Sequence, residues 1–113
     1  MKRKQTEKRV LVVHSTAPDR ETAESIAENF VKSGVAACAS VGGPIKSFYF
    51  WKGEYCSDTE FAIELKLSPK KLSEAEDLMG RLHPYECPQF IVVGAETSDA
   101  YSDWINGMQS GVD

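Results

Sequence analysis

Six consecutive residues, His83-Pro84-Tyr85-Glu86-Cys87-Pro88, gather an imidazole, a phenol, a carboxylate and a thiol between two prolines. Each proline fixes its own φ and disfavours helical geometry in the residue before it, so His83 and Cys87 are predicted to be extended. The segment, here called the elbow (residues 83–88), should leave a helix that ends near Leu82 and enter a strand that begins near Gln89. A stiff connector of this kind can orient polar side chains at a small entropic cost. The alternative is a plain connector whose Tyr and His pack against a neighbouring element.

The elbow carries metal donors, because a thiolate and an imidazole both suit copper or zinc. His83, Glu86 and Cys87 are therefore candidate ligands, and Cys38 is a fourth, for which a small buried thiol is the alternative. Cys56 follows a hairpin turn, and we expect it to be exposed and not a ligand. The cysteines are scattered, whereas a structural zinc site has four ligands at recognisable spacing. We therefore expect a neighbouring subunit to complete any metal shell.

Four consecutive aromatic residues, Phe48-Tyr49-Phe50-Trp51, precede a Lys-Gly turn signal. The favoured interpretation is packing between subunits, because large aromatic side chains dominate such contacts. The alternative is stacking on a bound ligand. The candidates for lining a cleft between subunits are Tyr49, Trp51, Glu54 and, from the elbow, Tyr85.

Hydrophobic periodicity predicts the elements that position these residues. The predicted strands cover residues 10–13, 35–41 with a Gly-Gly-Pro bulge before 45–51, 54–67 and 90–93. The first predicted helix has Thr16 as its N-cap and ends at Gly34. A second helix follows the Ser68 cap, and a third begins at Thr97 or Ser98 and carries four apolar or aromatic residues on one side: Tyr101, Trp104, Ile105 and Met108.

The predicted order, β-α-β-β-α-β with a C-terminal helix, is that of an α+β, ferredoxin-like fold with a long hairpin between its second and third strands. Both main helices of such a unit cover one face of the sheet. The first and last strands are apolar on both faces and the hairpin is aromatic, so one subunit cannot bury all of this surface. We therefore predict self-association.

The length, composition and charge of the chain indicate which class of protein it belongs to. The chain has 113 residues, of which 42% are hydrophobic and 27% charged, as expected for one globular domain. Residues 1–9 are basic and are predicted to be a flexible tail; residues 10–113 form the domain and are acidic, which disfavours binding to nucleic acid or anionic lipid. No apolar run approaches the ~20 residues of a membrane span, so we expect no membrane partner and a cytoplasmic location. Three cysteines without a CxxC pair argue against a disulfide framework.

Four segments in the same order resemble the CutA family of divalent-cation-tolerance proteins: residues 15–19, residues 34–40, residues 47–54 and the elbow. Tyr101 and the pair Trp104-Ile105 are similar to the closing helix of that family. The resemblance covers about residues 10–108. It implies a ferredoxin-like subunit in a tight trimer similar to the PII signalling proteins, with a role in tolerance of divalent metals, copper above all. Cys38 and His83 match family positions that have been considered as metal ligands.

Two functions remain open at this point. The first is a metal-binding homotrimer that responds to copper and other divalent cations, with no obligatory cofactor. The alternative is a metal-indifferent, PII-like trimer that serves as a scaffold or a small-ligand signalling module. The sequence contains no Gly-rich phosphate loop, G-x-S-x-G or HExxH motif, so we do not expect an enzyme.

Overall fold

A computed structural model describes residues 9–107; the predicted tail residues 1–8 and residues 108–113, including Met108 of the predicted last helix, lie outside the described residues. Arg9, which the predicted tail included, is the first residue of a strand. A short 3-10 helix, Pro69–Lys71, precedes the second α-helix. The remaining elements are β1 (Arg9–Ala17), α1 (Arg20–Lys32), β2 (Cys38–Trp51), β3 (Glu54–Leu67), α2 (Leu72–Leu82), β4 (Ile91–Glu96) and α3 (Asp99–Gly107).

The four strands form one antiparallel sheet in the order β2-β3-β1-β4, which confirms the predicted ferredoxin-like α+β fold. Val13 of β1 lies opposite Leu65 of β3 and Val92 of β4. The two longer helices pack on one face of the sheet, because each carries apolar residues three and four positions apart. The fully buried side chains of this core include Val13, Phe30, Ile63, Leu65, Leu67 and Met79.

The opposite face of the sheet is only partly covered. A smaller cluster forms where Ile105 of α3 packs with Val10 and Ala37. On the same face of β4, by contrast, Ile91 and Val93 remain exposed. The apolar surface predicted to exceed what one subunit can bury is therefore present on this chain.

The start of α1 differs from its prediction. Thr16 is not the N-cap, because it lies within β1 opposite Ala62. Asp19 caps the helix instead, and its side chain accepts a 2.7 Å hydrogen bond from the backbone N–H of Thr22. The predicted end is confirmed: Gly34 has a φ of +80°, a conformation that glycine adopts without steric cost.

Two strand boundaries were also predicted wrongly. β2 begins at Cys38 and not at residue 35, because the N–H groups of Val35 and Ala36 both donate to the carbonyl of Phe30 at the end of α1. These two residues therefore complete the helix end before the strand begins. β4 runs from residue 91 to 96, further along the chain than predicted. Two N-caps were predicted for α3, Thr97 and Ser98. The side chain of Ser98 is the cap, because its hydroxyl oxygen accepts a 3.2 Å hydrogen bond from the backbone N–H of Tyr101.

The long hairpin of β2 and β3 has both predicted irregularities. Its register shifts between Gly42 and Ile45, which confirms the bulge. Trp51 lies opposite Glu54, and the two residues between them have positive φ values, 51° and 82°, as a tight type I′ turn requires. The molecule measures 46 Å along its longest axis. This length agrees with two 14-residue strands at ~3.3 Å per residue.

Candidate functional site

The elbow begins where α2 ends. His83 follows the last helical residue and has extended geometry, with φ −83° and ψ 137°, as expected for a residue before proline. Its backbone N–H still donates to the carbonyl of Met79 at 3.0 Å, which completes the last turn of the helix. The predicted position and conformation of the elbow at this residue are confirmed.

The imidazole of His83 is buried and holds the elbow against β1. Its Nδ1 accepts a 3.1 Å hydrogen bond from the backbone N–H of Tyr85. Nε2 is therefore the protonated nitrogen, and it donates to the carbonyl of Thr16 at 2.6 Å. Both ring nitrogens are engaged, so a metal ion could bind this side chain only by displacing one hydrogen bond. The ring also lies 4.8 Å from the ring of Tyr85, centroid to centroid.

Glu60 of β3 is the buried acidic residue beneath the elbow. Its Oε2 accepts hydrogen bonds from the hydroxyl of Tyr85 at 2.9 Å and from the hydroxyl of Thr16 at 3.2 Å. One carboxylate oxygen therefore joins β1, β3 and the elbow. Glu60 is not among the predicted site residues, because the alternation of polar and apolar residues along β3 predicts an outward-facing charge at this position.

An open cleft of about 580 Å³ lies between the elbow and the hairpin; we call it the aromatic cleft. Glu60 lines it, together with residues of the hairpin and the elbow, chiefly Phe48, Tyr49, Trp51, Tyr85, Glu86 and Cys87. Three of the four residues predicted to line a cleft between subunits therefore meet within one chain, and the contribution of a second subunit stays a prediction. The fourth, Glu54, does not line the cleft and lies at the hairpin turn.

Both phenols of the cleft are held in their protonated form at neutral pH. The hydroxyl of Tyr49 donates a hydrogen bond to the carboxylate of Asp58, which raises the pKa of Tyr49 to about 12. Burial raises the pKa of Tyr85 further, and its hydrogen bond to Glu60 acts in the same direction. Both residues therefore present neutral rings to the cleft, and the hydroxyl of each already donates its hydrogen to a carboxylate.

The structure brings two of the predicted metal donors to the surface of the cleft. Glu86 and Cys87 are both exposed, and Glu86 forms an ion pair with Lys52 at 3.4 Å. Cys38 is not near them: it begins β2, is half-buried, and its Sγ lies 3.6 Å from the hydroxyl of Tyr101. Cys56, expected to be exposed, is half-buried as well.

The predicted donors do not form a complete metal shell within one chain. Within residues 9–107, no group of three or more His, Cys, Asp and Glu side chains is placed to hold a metal ion. A shell built at the elbow would therefore need donors beyond the described residues, and their origin in another subunit stays a prediction. Within the same range, no helix is long and apolar enough to cross a membrane.

Sequence comparison identifies a protein family that this chain matches. The family model described as "CutA1 divalent ion tolerance protein" matches residues 11–108. A divalent-cation tolerance protein CutA from Archaeoglobus fulgidus is 35% identical over 95 residues, which cover 83% of this chain and 92% of that protein.

Solved structures agree with the sequence matches. The CutA1 protein of Thermus thermophilus superposes with a TM-score of 0.82 at 31% identity, covering 86% of this chain and 95% of the other. A CutA structure from Archaeoglobus fulgidus, described as periplasmic, gives a TM-score of 0.80 at 34% identity, covering 85% and 94%. Sequence and fold agree over nearly the whole described chain, and the chain belongs to the CutA1 family of divalent ion tolerance proteins.

Proposed function

We propose that this protein acts in tolerance of divalent cations, copper above all, by binding them as a homotrimer. The observation that carries the proposal is the pair Glu86 and Cys87, which are exposed side by side on the aromatic cleft. A thiolate suits copper or zinc, zinc also accepts a carboxylate oxygen, and the neighbouring histidine is the remaining donor on the elbow. A donor from a second subunit would complete the shell.

Exposed apolar surface supports the homotrimer. On the hairpin, Phe48 is 64% exposed and Phe50 is 74% exposed, and on the edge strand β4 Ile91 is 50% exposed. Surfaces of this kind are typical of obligate interfaces, which bury more than ~2,000 Å² and resemble a core cut in half. In the trimer, the hairpin would make most of the contacts between subunits.

Calorimetric titration of the reduced protein with Cu(I), Cu(II) and Zn(II) tests metal binding. Cys87→Ser should weaken copper binding by about tenfold or more, because a lost ligand costs at least as much as a lost supporting contact. Cys56→Ser is the matched control, since it removes a thiol that does not line the cleft. Unchanged copper affinity in Cys87→Ser would exclude the elbow thiol and leave Cys38 to be tested in the same way.

Light scattering at micromolar concentration tests the trimer. We expect three times the mass of one chain for the wild type. Trp51→Ala should weaken assembly, because large aromatic residues contribute most to such interfaces. Val31→Ala, at an exposed apolar position on α1, should assemble like the wild type. A monomeric wild-type protein would refute the proposal.

A second candidate function is the binding of a small molecule by a metal-indifferent trimer. The specific observation in its favour is the aromatic cleft, whose volume of about 580 Å³ falls within the range of small-molecule sites, ~300–1,000 Å³. In either case we propose a non-catalytic role, without nucleic acid as a partner. A saturable activity that is lost in Cys87→Ser would contradict this role. Cytoplasmic residence is part of the same proposal, and cell fractionation tests it.

A further inference from the structure

Glu60 is a buried carboxylate that forms no ion pair with any of the residues that the structure describes. Only 6% of the residue is exposed, and both of its hydrogen bonds come from neutral hydroxyl groups and reach the same oxygen, Oε2. Within residues 9–107, no donor reaches Oε1, and Glu60 forms no ion pair there. Buried charges are costly unless an opposite charge compensates them. A cation at Oε1 would compensate this charge.

The surroundings of Glu60 are suited to a positive charge. None of the described residues that line the aromatic cleft is Lys, Arg or His. The walls carry four aromatic rings, of which Trp51 attracts cations most strongly through the negative face of its π-system. A second carboxylate, that of Glu86, lines the same cleft. Aromatic rings around a carboxylate form the kind of site that recognises organic ammonium groups.

The chain itself contains an ammonium group in a similar contact at the hairpin turn. The Nζ of Lys52 lies 5.7 Å from the centroid of the Trp51 ring and 3.4 Å from Oε1 of Glu86. An ammonium placed between an aromatic face and a carboxylate is therefore an arrangement that this region already adopts. Lys52 does not line the cleft, so its side chain does not satisfy Glu60.

We propose that the aromatic cleft binds a small organic ammonium compound with an apolar body, whose ammonium group donates to Oε1 of Glu60. The inference rests on the second candidate function, small-ligand binding in this cleft, and names the class of ligand. A bare metal ion fits Glu60 less well, because the described residues offer no cluster of donors around it. In the trimer, the apolar body would lie between the aromatic walls and the neighbouring subunit that packs on the hairpin.

Three probes of the same shape and different charge test the proposal: phenethylammonium, neutral 2-phenylethanol and anionic phenylacetate. In calorimetric titrations of the assembled wild-type protein, the ammonium probe should bind at least about tenfold more tightly than the alcohol, since hydrogen bonds to charged groups are the stronger ones. Phenylacetate should bind most weakly. Equal binding of ammonium and alcohol would overturn the inference but leave small-ligand binding intact. Absence of binding by all three would contradict both.

Variants locate the contact. Glu60→Gln keeps an oxygen that can accept from Tyr85 but removes the charge, so the ammonium probe should lose about tenfold in affinity and the alcohol should not. Glu54→Gln, on the same hairpin but outside the cleft, is the matched control. Lys52→Met should tighten ammonium binding, because it leaves the carboxylate of Glu86 unpaired. An ammonium affinity that Glu60→Gln does not change would refute the assigned contact.

Two further readouts separate this inference from the metal proposal and from loss of folding. Ammonium binding to the wild-type protein should be unchanged in the presence of EDTA, because the proposed contact with Glu60 needs no metal ion. Far-UV circular dichroism and light scattering establish that the Glu60→Gln variant is folded and assembled. If Glu60→Gln does not fold, the wild-type protein alone still tests the inference. Tighter binding of phenethylammonium than of 2-phenylethanol would support it, and equal binding would overturn it.

Discussion

The hydroxyl of Tyr85 donates a 2.9 Å hydrogen bond to the carboxylate of Glu60, a residue 25 positions earlier in the chain. The same carboxylate oxygen accepts from the hydroxyl of Thr16, and the carbonyl of Thr16 accepts from the ring of His83. Two residues of the elbow, His83 and Tyr85, therefore form hydrogen bonds with Thr16 and Glu60, which are hydrogen-bonded to each other in the sheet. This double attachment fixes the backbone that presents Glu86 and Cys87 to the aromatic cleft.

Removing the hydroxyl of Tyr85 should therefore destabilise the fold. Tyr85→Phe leaves the buried carboxylate of Glu60 with one donor fewer, and we expect a loss of about 1 to 2 kcal/mol in the free energy of unfolding. Urea denaturation at fixed protein concentration measures this difference. Tyr55→Phe, at an exposed position on the hairpin, should have almost no effect. Equal midpoints for the two variants would contradict the structural role of the bond.

The bond between Tyr49 and Asp58 predicts an effect at alkaline pH. The pKa of Tyr49 is raised to about 12, chiefly by hydrogen bonding to Asp58. An unfolded tyrosine titrates near ~10, so the protonated phenol stabilises the folded state fully below that pH and loses this contribution as the pH rises toward the folded pKa. Asp58→Asn should move the ionisation of Tyr49 down toward ~10.

Absorbance at 295 nm measures this shift, because it reports phenolate formation. The chain has four tyrosines, so the change should involve about a quarter of the total signal. Asp77→Asn is the matched control, since this carboxylate pairs with Arg81 on α2. An unchanged titration curve in Asp58→Asn would mean that Asp58 does not set the pKa of Tyr49.

Much of the fold could be predicted from the sequence because its signals are local. The prolines of the elbow, the Lys-Gly turn and the Gly-Gly-Pro bulge each restrict backbone geometry on their own, and the structure contains all three. Thr16 was wrongly predicted as the N-cap of α1 because its structure depends on a residue distant in the chain. Thr-Ala-Pro-Asp reads as a helix start, but pairing with β3 extends β1 through Thr16, and a local pattern does not contain that partner.

The site could be predicted only in part, for a similar reason. The aromatic run and the phenol of the elbow indicated a cleft between subunits, and three of its four predicted residues line a cleft within one chain. Glu60 was missed because its role depends on Thr16 and Tyr85, which lie 44 and 25 positions away from it. His83 was predicted correctly as a residue of the elbow. Its buried hydrogen bonds could not be anticipated, because the carbonyl of Thr16 is a tertiary partner.

Stability and metal affinity, measured together, distinguish two roles for His83. Its engaged ring nitrogens lead us to expect that His83→Ala lowers the free energy of unfolding by about 1 to 3 kcal/mol, because the carbonyl of Thr16 and the N–H of Tyr85 lose their partners. Copper affinity of the folded variant should change less than in Cys87→Ser. A large loss of copper affinity without loss of stability would show instead that His83 leaves these bonds to act as a ligand.

The bulge of β2 offers a test with neighbouring glycines. Gly43 has a φ of +128°, and a Cβ built there would lie 3.1 Å from Cδ2 of Phe61 and 3.2 Å from the carbonyl oxygen of Glu60. Gly43→Ala should therefore cost about 1 to 3 kcal/mol, from backbone strain and from displacement of the strand that carries Glu60. Gly42→Ala is the matched control, since nothing lies within 4 Å of its Cβ position.

Chemical denaturation compares the two glycine variants under the same conditions. Gly42→Ala should unfold within about 1 kcal/mol of the wild type, because alanine there meets no atom and reduces the freedom of the unfolded chain. Titration of Gly43→Ala with phenethylammonium adds a functional readout. Since the new methyl group presses on the backbone of Glu60, ammonium binding should weaken as well. Equal stability of the two variants would mean that β2 can relax at this point, and the bulge would then not fix the position of Glu60.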